Sequence, residues 1–272
     1  MKLDPESYST RHKPLDSVRF FISKILPKLG WGRNDEKEII LDVGCGPGGN
    51  TVQLIVPLFP KIDKIFAVDL LPEMIDFAKK YNSHTLIEYS VANIEDWSSV
   101  EGWGNKITKL TAIHCFQWLK DQRKSFCNVF QLLKPGGEAA FCFVLQSSFY
   151  AAILEIKKNP KWSSLFETVD DYVADSHHNN YHDAYYEEML KQIGFDIIYC
   201  KEEVKIDIFA SDEEYREFFP SICSLTSHVP AERKEEFKDD LFLALLQQNG
   251  RNSEGLPQHW GNMLELVIKK NK

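Results

Sequence analysis

Residues 38–50 constrain this chain more than any other stretch. They begin with the apolar run 39–41, which predicts a strand buried on both faces. They end with four glycines within six residues, a density that permits positive φ angles and a close approach of a ligand to the backbone. The largely apolar residues 50–58 predict a helix with Asn50 as its N-cap. Strand, glycine turn and helix together predict the nucleotide-binding corner of a doubly wound α/β sheet.

The glycines alone do not identify the ligand. Gly44, Gly46 and Gly49 satisfy G-x-G-x-x-G, a pattern that leaves an NAD-binding Rossmann oxidoreductase open. Asp42, however, stands two residues before the first glycine, and its carboxylate would repel a pyrophosphate but suits an ammonium or sulfonium group. Residues 42–48 therefore resemble, without departure, the (D/E)-x-G-x-G-x-G motif of class I S-adenosylmethionine-dependent methyltransferases.

This resemblance implies an α/β fold with a doubly wound, seven-stranded, Rossmann-like sheet, an antiparallel last strand and a helical lid insertion. It also implies S-adenosyl-L-methionine as the cofactor. The expected cofactor-binding residues are Asp42, Gly44, Cys45, Gly46, Gly48, Asp69, Leu70, Met74, Asn93, Ile94 and His114.

The second predicted strand, residues 64–70, ends at an acidic residue. Asp69 follows Asp42 by 27 positions, where a carboxylate can accept hydrogen bonds from both hydroxyls of a ribose. The alternative is that Asp69 caps the next helix.

Two further residues have both a functional and a structural interpretation. Met74, on the next helix, could face the ribose or methionine part of the cofactor, or it could belong to the core. Asn93 follows the third predicted strand, residues 85–91; in methyltransferases a residue at this place meets the adenine amino group, and a neighbouring backbone N–H, here that of Ile94, meets a ring nitrogen. A turn residue is the alternative interpretation of Asn93.

The fourth predicted strand, residues 107–115, ends at the edge where doubly wound sheets bind ligands. The catalytic candidates there are His114, Gln117 and Trp118. His114 could be a base or simply a strand-end histidine, and the single indole N–H of Trp118 could hold an anionic oxygen or the ring could join the core. The Lys-Pro-Gly-Gly stop at 134–137 is frequent in methyltransferases and supports the first motif.

The rest of the chain predicts additions to this sheet. Residues 1–34 are expected to form an N-terminal segment and helix that folds over the site. Residues 35–272 form the methyltransferase domain, with a lid insertion at about 146–182 and a further helical cap at about 211–250. The terminal strand is expected at 263–268.

A narrower resemblance follows from Trp118, Asp121 and Gln122. These residues, with a match extending from Tyr8 to the lid around Trp162, resemble the arthropod juvenile hormone acid O-methyltransferase family. The resemblance implies transfer of a methyl group to the carboxylate of farnesoic acid or juvenile hormone acid. A carboxylate is already ionised at neutral pH, whereas an amine or alcohol, which both remain open as acceptors, needs a base.

In that family the carboxylate is held by the Trp and by a Gln of the N-terminal segment. Here His12 or Lys13 stands where the Gln is expected, and Gln117 stands where the family often has His. The expected substrate-binding residues are Tyr8, His12, Lys13, Trp118 and Trp162. A protein that binds the cofactor without catalysis is a further alternative.

Composition limits the partners. The net charge of −8 disfavours nucleic acid, the apolar runs are too short for a membrane helix, and six cysteines without a C-x-x-C pair favour a reduced, cytoplasmic compartment. His178 and His182 are four positions apart, but the two asparagines between them favour a loop, so we expect no metal. The expected partner is a small apolar acid.

Overall fold

The computed structural model describes residues 3–11, 15–33, 36–166 and 172–271. His12 and Lys13 therefore lie outside the described residues. The strands are β1 (Glu38–Val43), β2 (Ile62–Asp69), β3 (Ile87–Val91), β4 (Ile107–Ile113), β5 (Leu133–Ser147), β6 (Phe195–Ile208) and β7 (Gln258–Lys270).

The seven strands form one sheet in the order β3-β2-β1-β4-β5-β7-β6. In this order, the five strands β3, β2, β1, β4 and β5 each pair in parallel with their neighbours. The last strand, β7, runs antiparallel. Ile40 and Leu41 are fully buried on β1, because helices cover both faces of a parallel sheet. The predicted fold class is confirmed.

Helices connect these strands. They are α1 (Pro5–Arg11), α2 (Asp16–Phe20), α3 (Leu26–Lys28), α4 (Val56–Leu58), α5 (Pro72–Tyr81), α6 (Trp97–Val100), α7 (Gln122–Leu132), α8 (Ser148–Lys158), α9 (Asp175–Asn179), α10 (Asp183–Ile193), α11 (Asp212–Ile222) and α12 (Lys234–Asn249). The π-helical turns Phe21–Ile25 and Thr51–Ile55 precede α3 and α4. Of the described helices, none is long and apolar enough to cross a membrane.

One local expectation is wrong. Asn50 does not cap a helix, because it already has helical angles (φ −65°, ψ −39°) and its side chain makes no capping hydrogen bond. β5 begins at Leu133, which pairs with Ile107, and a register shift between Ile107 and Lys109 accommodates the Lys-Pro-Gly-Gly residues.

The chain divides into two units. The glycine-turn unit comprises Pro14–Phe143, Tyr181–Glu202 and Leu264–Lys272, and the helical unit comprises Met1–Lys13, Val144–Asn180 and Glu203–Met263. The first contains β1 to β4, α2 to α7 and α10, and the second contains α1, α8, α9, α11 and α12. The predicted lid and cap segments are not tested by this division and stay a prediction.

The helical unit has an aromatic core of its own. Trp162 is fully buried, its Nε1–H donates to Asp240 at 2.8 Å, and its ring lies edge-on to Phe237 with centroids 5.4 Å apart. Arg233 covers the same indole at 4.3 Å. Burial of an indole of this size with its polar atom satisfied stabilises a unit by several kcal/mol, on the order of 3–5.

Candidate active site

The glycine turn, residues 44–49, leaves β1 in a backbone conformation that other residues rarely adopt. Gly44, Gly46 and Gly48 have φ angles of +71°, +54° and +82°. A Cβ atom on Gly44 would lie 2.5 Å from Cys115 Sγ, and one on Gly48 would lie 2.6 Å from the Tyr89 hydroxyl. Gly44 and Gly48 must therefore be glycine for two reasons: the positive φ angle and the lack of space for a side chain.

Asp69, at the end of β2, holds this turn by its carboxylate. Oδ2 accepts the Gly46 N–H at 2.9 Å, and Oδ1 accepts the Leu71 N–H at 2.9 Å. Burial raises the pKa of Asp69, although both backbone hydrogen bonds act in the opposite direction. Each carboxylate oxygen retains a second acceptor position, so the pair suits a ligand with two adjacent hydroxyls.

Asp42 lies beneath the turn rather than beside it. Its side chain is buried, Oδ2 accepts the Thr51 hydroxyl at 2.6 Å, and Oδ1 accepts the Thr111 hydroxyl at 2.8 Å. Burial raises the pKa of Asp42 to about 6 against the effect of the two hydroxyls. The carboxylate therefore fixes β1 to β4 and to the following helix, and it contributes negative charge from below.

Sequence reasoning missed two residues that support the turn, Tyr89 on β3 and Asn82 at the end of α5. The Tyr89 hydroxyl donates to the Asn82 carbonyl at 2.8 Å, and Asn82 Nδ2 donates to the Pro47 carbonyl at 2.7 Å. These bonds brace Gly48 from behind. Neither residue belongs to a motif, and only their packing identifies them.

The predicted adenine and ribose residues follow β2 and β3. Asn93 Oδ1 accepts the Glu95 N–H at 3.0 Å and retains one acceptor position. Ile94 is buried, and its carbonyl accepts from Asn128 Nδ2 at 2.7 Å. Leu70 is 53% exposed directly after Asp69, so its side chain is available to cover an apolar ligand surface.

Met74 and Cys45 are more enclosed than a binding role requires. Met74 is 2% exposed on the inner face of α5, which favours its core interpretation. Cys45 is buried in the turn, its N–H donates to the Val68 carbonyl at 3.0 Å, and burial raises the pKa of its thiol. The thiol is therefore protonated at neutral pH, and its contribution is to the shape of the turn.

The post-β4 loop, residues 114–118, contains polar atoms that the protein leaves unsatisfied. His114 has a left-handed φ of +51°, and its Nε2 is buried without a partner among the described residues. Burial lowers the pKa of His114 to about 4, so the imidazole is neutral at physiological pH. Gln117 is 6% exposed, and its Oε1 likewise has no partner in the described part of the chain. Unpaired buried polar atoms are rare in proteins, so each one calls for an explanation.

The same loop is anchored by an aromatic cluster. Phe116 is fully buried, with ring centroids 4.7 Å from those of Phe126 and Phe141. Gln122 Nε2 donates to the Phe116 carbonyl at 2.8 Å, and its Oε1 accepts the Tyr186 hydroxyl at 2.9 Å. The loop is therefore held rigidly while its unsatisfied atoms stay in place.

Asp121 completes the anchoring of the loop. It caps α7 by accepting the Lys124 N–H at 2.8 Å, and its own N–H donates to Glu95 Oε1 at 2.7 Å. The Asp-Gln pair after Trp118 thus organises the loop that carries the indole. Trp118 is half-buried at the end of the short 3-10 turn Phe116–Trp118.

The post-β4 loop and the glycine turn are neighbours, since Cys115 occupies the space beside Gly44. Burial is the main cause that raises the pKa of the Cys115 thiol, and the negative charges of Asp69, Asp42 and Glu95 raise it further. Three carboxylates therefore make this corner electronegative, which fits a cationic ligand and opposes a pyrophosphate.

The structure does not gather all the predicted site residues into one unit. Tyr8 is half-buried on α1, and Trp162 lies in the aromatic core described above; both belong to the helical unit. His178 lies on α9, whereas His182 precedes α10 and bonds Glu202 through Nδ1 at 2.6 Å. Among the described residues, no group of three or more His, Cys, Asp or Glu side chains is placed so that it could hold a metal ion.

The parallel sheet, the glycine turn and the acid at the end of β2 define a nucleoside-binding site of the methyltransferase type. A family model described as a methyltransferase domain matches residues 16–199, and the chain belongs to that family. It is an S-adenosylmethionine-dependent methyltransferase. This finding excludes the NAD-binding oxidoreductase that the glycine pattern alone had left open.

Individual proteins agree with this class. The chain is 23% identical over 244 residues to the juvenile hormone acid O-methyltransferase of Drosophila melanogaster, covering 87% of this chain and 81% of that protein. It is 29% identical over 214 residues to a malonyl-[acyl-carrier protein] O-methyltransferase of Paenibacillus sp., with coverages of 76% and 72%.

Among solved structures, the phosphoethanolamine N-methyltransferase 2 of Haemonchus contortus, in complex with S-adenosylhomocysteine, has the same fold. The TM-score is 0.58 at 15% identity, and the match covers 98% of this chain and 57% of that one. At this identity the likeness shows the fold alone.

Proposed function

We propose that this enzyme uses S-adenosyl-L-methionine to methylate the carboxylate of an apolar small-molecule acid. The observation that carries the proposal is the character of the post-β4 loop, which provides hydrogen-bonding atoms but lacks a strong base. Such a site suits an acceptor that is ionised before it binds.

The absence of a base follows from the described side chains around the turn. His114, with its pKa lowered to about 4, has little tendency to remove a proton. Both oxygens of Asp42 and of Asp69 accept hydrogen bonds from the protein, and Glu95 accepts the Asp121 N–H. An alcohol or a protonated amine would need a proton acceptor at neutral pH, whereas a carboxylate with a pKa of about 4–5 would not.

The cofactor has a matching set of groups in the glycine-turn unit. Asp69 would accept hydrogen bonds from the ribose hydroxyls, and Asn93 with Ile94 would meet the adenine. The electronegative corner above Asp42 would favour the positive charges of the sulfonium and the ammonium. Bound S-adenosyl-L-methionine supplies the methyl group, and the protein supplies orientation and exclusion of water.

The acceptor would be held by polar atoms of the post-β4 loop. A neutral His114 can donate from Nε2 to a carboxylate oxygen, and Trp118 offers an indole N–H donor with an apolar ring for the tail. Gln117 completes the polar part of this surface. Tyr8 and Trp162, with His12 and Lys13 outside the described residues, stay predicted contacts of the acceptor.

The names of two relatives support an acid as the methyl acceptor. Juvenile hormone acid and a malonyl group each have a carboxylate as the oxygen nucleophile, and two such relatives cover most of this chain. The net charge of −8 agrees with a small acceptor rather than a nucleic acid. Farnesoic acid and juvenile hormone acid are therefore the first candidates.

A matched set of acceptors tests the proposal. The enzyme is incubated with methyl-labelled S-adenosyl-L-methionine and farnesoic acid, farnesol or farnesylamine, which share one apolar chain and differ in the nucleophile. We expect label in the acid alone, and mild base should release it as methanol, because esters hydrolyse whereas ethers and amines do not. The acid panel then extends to juvenile hormone acid and to fatty acids of similar length.

Two outcomes would contradict the proposal. Transfer to the alcohol or the amine, with none to any acid, would place a base in the site that the geometry lacks. Binding of the cofactor without turnover of any acceptor, over a broad metabolite panel, would instead indicate a cofactor-binding protein.

A further inference from the structure

The exposed face of β6 is unusual for the surface of a protein. Val204, Ile206 and Ile208 are 58%, 60% and 56% exposed, and they alternate along one strand so that all three point to the same side. β6 is also the last strand in the sheet order, and in the described part of the chain its outer edge pairs with no strand. Edge strands are normally protected by charges, bulges or proline, because an open apolar edge recruits another strand.

We propose that β6 pairs antiparallel with β6 of a second copy of this chain, about a twofold axis at Ile206. In that register Ile206 faces its own copy, and Val204 faces Ile208 of the second copy. These three apolar residues of each chain would then join a single six-residue patch. A twofold contact requires such self-complementarity, because the same surface serves both partners.

The opposite face of the strand carries charges that fit the same axis. Lys205 and Asp207 would face Asp207 and Lys205 of the second copy, giving two opposite-charge cross-strand pairs. Within one chain Lys205 already forms an ion pair with Glu203, so each lysine would lie between two carboxylates. Charges therefore alternate in both directions across the ladder.

Other registers fit less well. Moving the axis to Val204 keeps the same face outward but places Ile206 opposite Glu202, an acid that binds His182 and the Asp183 N–H. An unrelated partner strand would have to reproduce both the apolar triplet and the charge order. A second copy meets both conditions without further assumption.

The oligomeric state in solution tests the proposal. Light scattering after gel filtration of the full chain should show a dimer over about 1–100 μM, the range in which modest interfaces associate. Ile206→Lys places two lysines on the axis and should shift the protein to a monomer. Leu243→Lys is the matched control: Leu243 is 60% exposed on α12, and its substitution should leave the dimer intact. Thermal unfolding checks that each variant is folded.

Charge variants identify the register. K205D opposes Asp with Asp in a homodimer, and D207K opposes Lys with Lys, so each alone should dimerise about tenfold or more weakly. Mixed together, the two variants restore both opposite-charge pairs and should form a heterodimer. A wild-type monomer throughout the range, a dimeric Ile206→Lys variant, or a mixture that stays as weak as its components would each overturn the proposal.

Discussion

The glycine turn and the post-β4 loop touch each other, yet they treat their polar groups in opposite ways. In the turn, the four carboxylate oxygens of Asp42 and Asp69 all accept hydrogen bonds from the protein, at 2.6–2.9 Å. In the loop, His114 Nε2 and Gln117 Oε1 are buried without partners among the described residues. The protein itself satisfies the carboxylates of the turn, whereas these two loop atoms have no partner in the described part of the chain.

This difference separates two tasks of a methyltransferase. A preorganised turn binds a cofactor that is the same for every member of the class, so its shape can be fixed by the backbone. An acceptor differs from one enzyme to another, and its selection depends on a few side chains with unused hydrogen-bonding capacity. Substitutions in the turn should therefore affect cofactor binding, and substitutions in the loop should affect the acceptor.

The largest effect is expected for Gly44→Ala. The new methyl group would overlap Cys115 at 2.5 Å in a left-handed backbone, so we expect cofactor affinity to fall by about 100-fold or more, measured by calorimetry. Gly136→Ala is the control: Gly136 has φ +80° with nothing within 4 Å, so only the backbone strain of about 1–2 kcal/mol applies. Equal losses of cofactor affinity in both variants would show that the overlap is unimportant.

Asp69→Ala should come next. It removes the acceptor proposed for the ribose and leaves the N–H groups of Gly46 and Leu71 unpaired, so we expect about 30–100-fold weaker cofactor binding. Asp63→Ala on the same strand removes only an exposed ion pair with Lys37 and should bind normally. Unchanged affinity in the Asp69 variant would show that this carboxylate serves the turn alone.

Trp118→Phe probes the loop instead. It keeps the aromatic surface and removes the N–H donor, so kcat/KM for the acid should fall about tenfold while cofactor affinity is retained. Trp103→Phe, at a ring packed on Phe66 outside the loop, should leave both quantities unchanged. If kcat/KM stays at the wild-type value, the indole N–H does not hold the acceptor.

His114→Asn distinguishes a hydrogen-bond donor from a base. Asparagine tolerates the left-handed φ of +51° and retains an N–H donor, so we expect a loss of less than about tenfold in kcat for the acid. Removal of a general base would cost about 10²–10⁴-fold. A loss of that larger size, with the variant still folded, would contradict the proposed carboxylate chemistry.

The smallest effect concerns the pH dependence of the turn. The fold raises the pKa of Asp42 from 3.8 to about 6, so folding favours the protonated carboxyl, and the stability of the free protein should decrease as pH rises through this interval. Cofactor affinity should instead fall severalfold as pH drops below about 6, because the corner loses a negative charge.

Thr111→Val tests this titration. The Thr111 hydroxyl lowers the pKa of Asp42, so its removal should move the midpoint of the affinity curve to higher pH. Thr108→Val makes the same chemical change at a hydroxyl that bonds Ile39 instead, and should leave the midpoint in place. Identical midpoints in all three proteins would mean that another group titrates.

Sequence patterns were reliable where one short stretch determines the structure. The apolar run 39–41 lies on β1, as expected. The prediction that Asn50 is an N-cap was wrong because the helix already includes Gly49. A capping rule based on side-chain type does not anticipate a glycine within the helix.

The class of enzyme followed from the sequence because a turn of glycines after an acidic strand end limits the backbone locally. The state of each polar atom required the tertiary structure: Thr111 reaches Asp42 across 69 positions, and Tyr89 supports Gly48 from β3, which lies beyond β2 in the sheet. Whether Gln117 or His114 finds a partner likewise depends on what packs around them. Hydrogen bonds between distant residues depend on how the strands lie side by side, and that arrangement exists only once the sheet has formed.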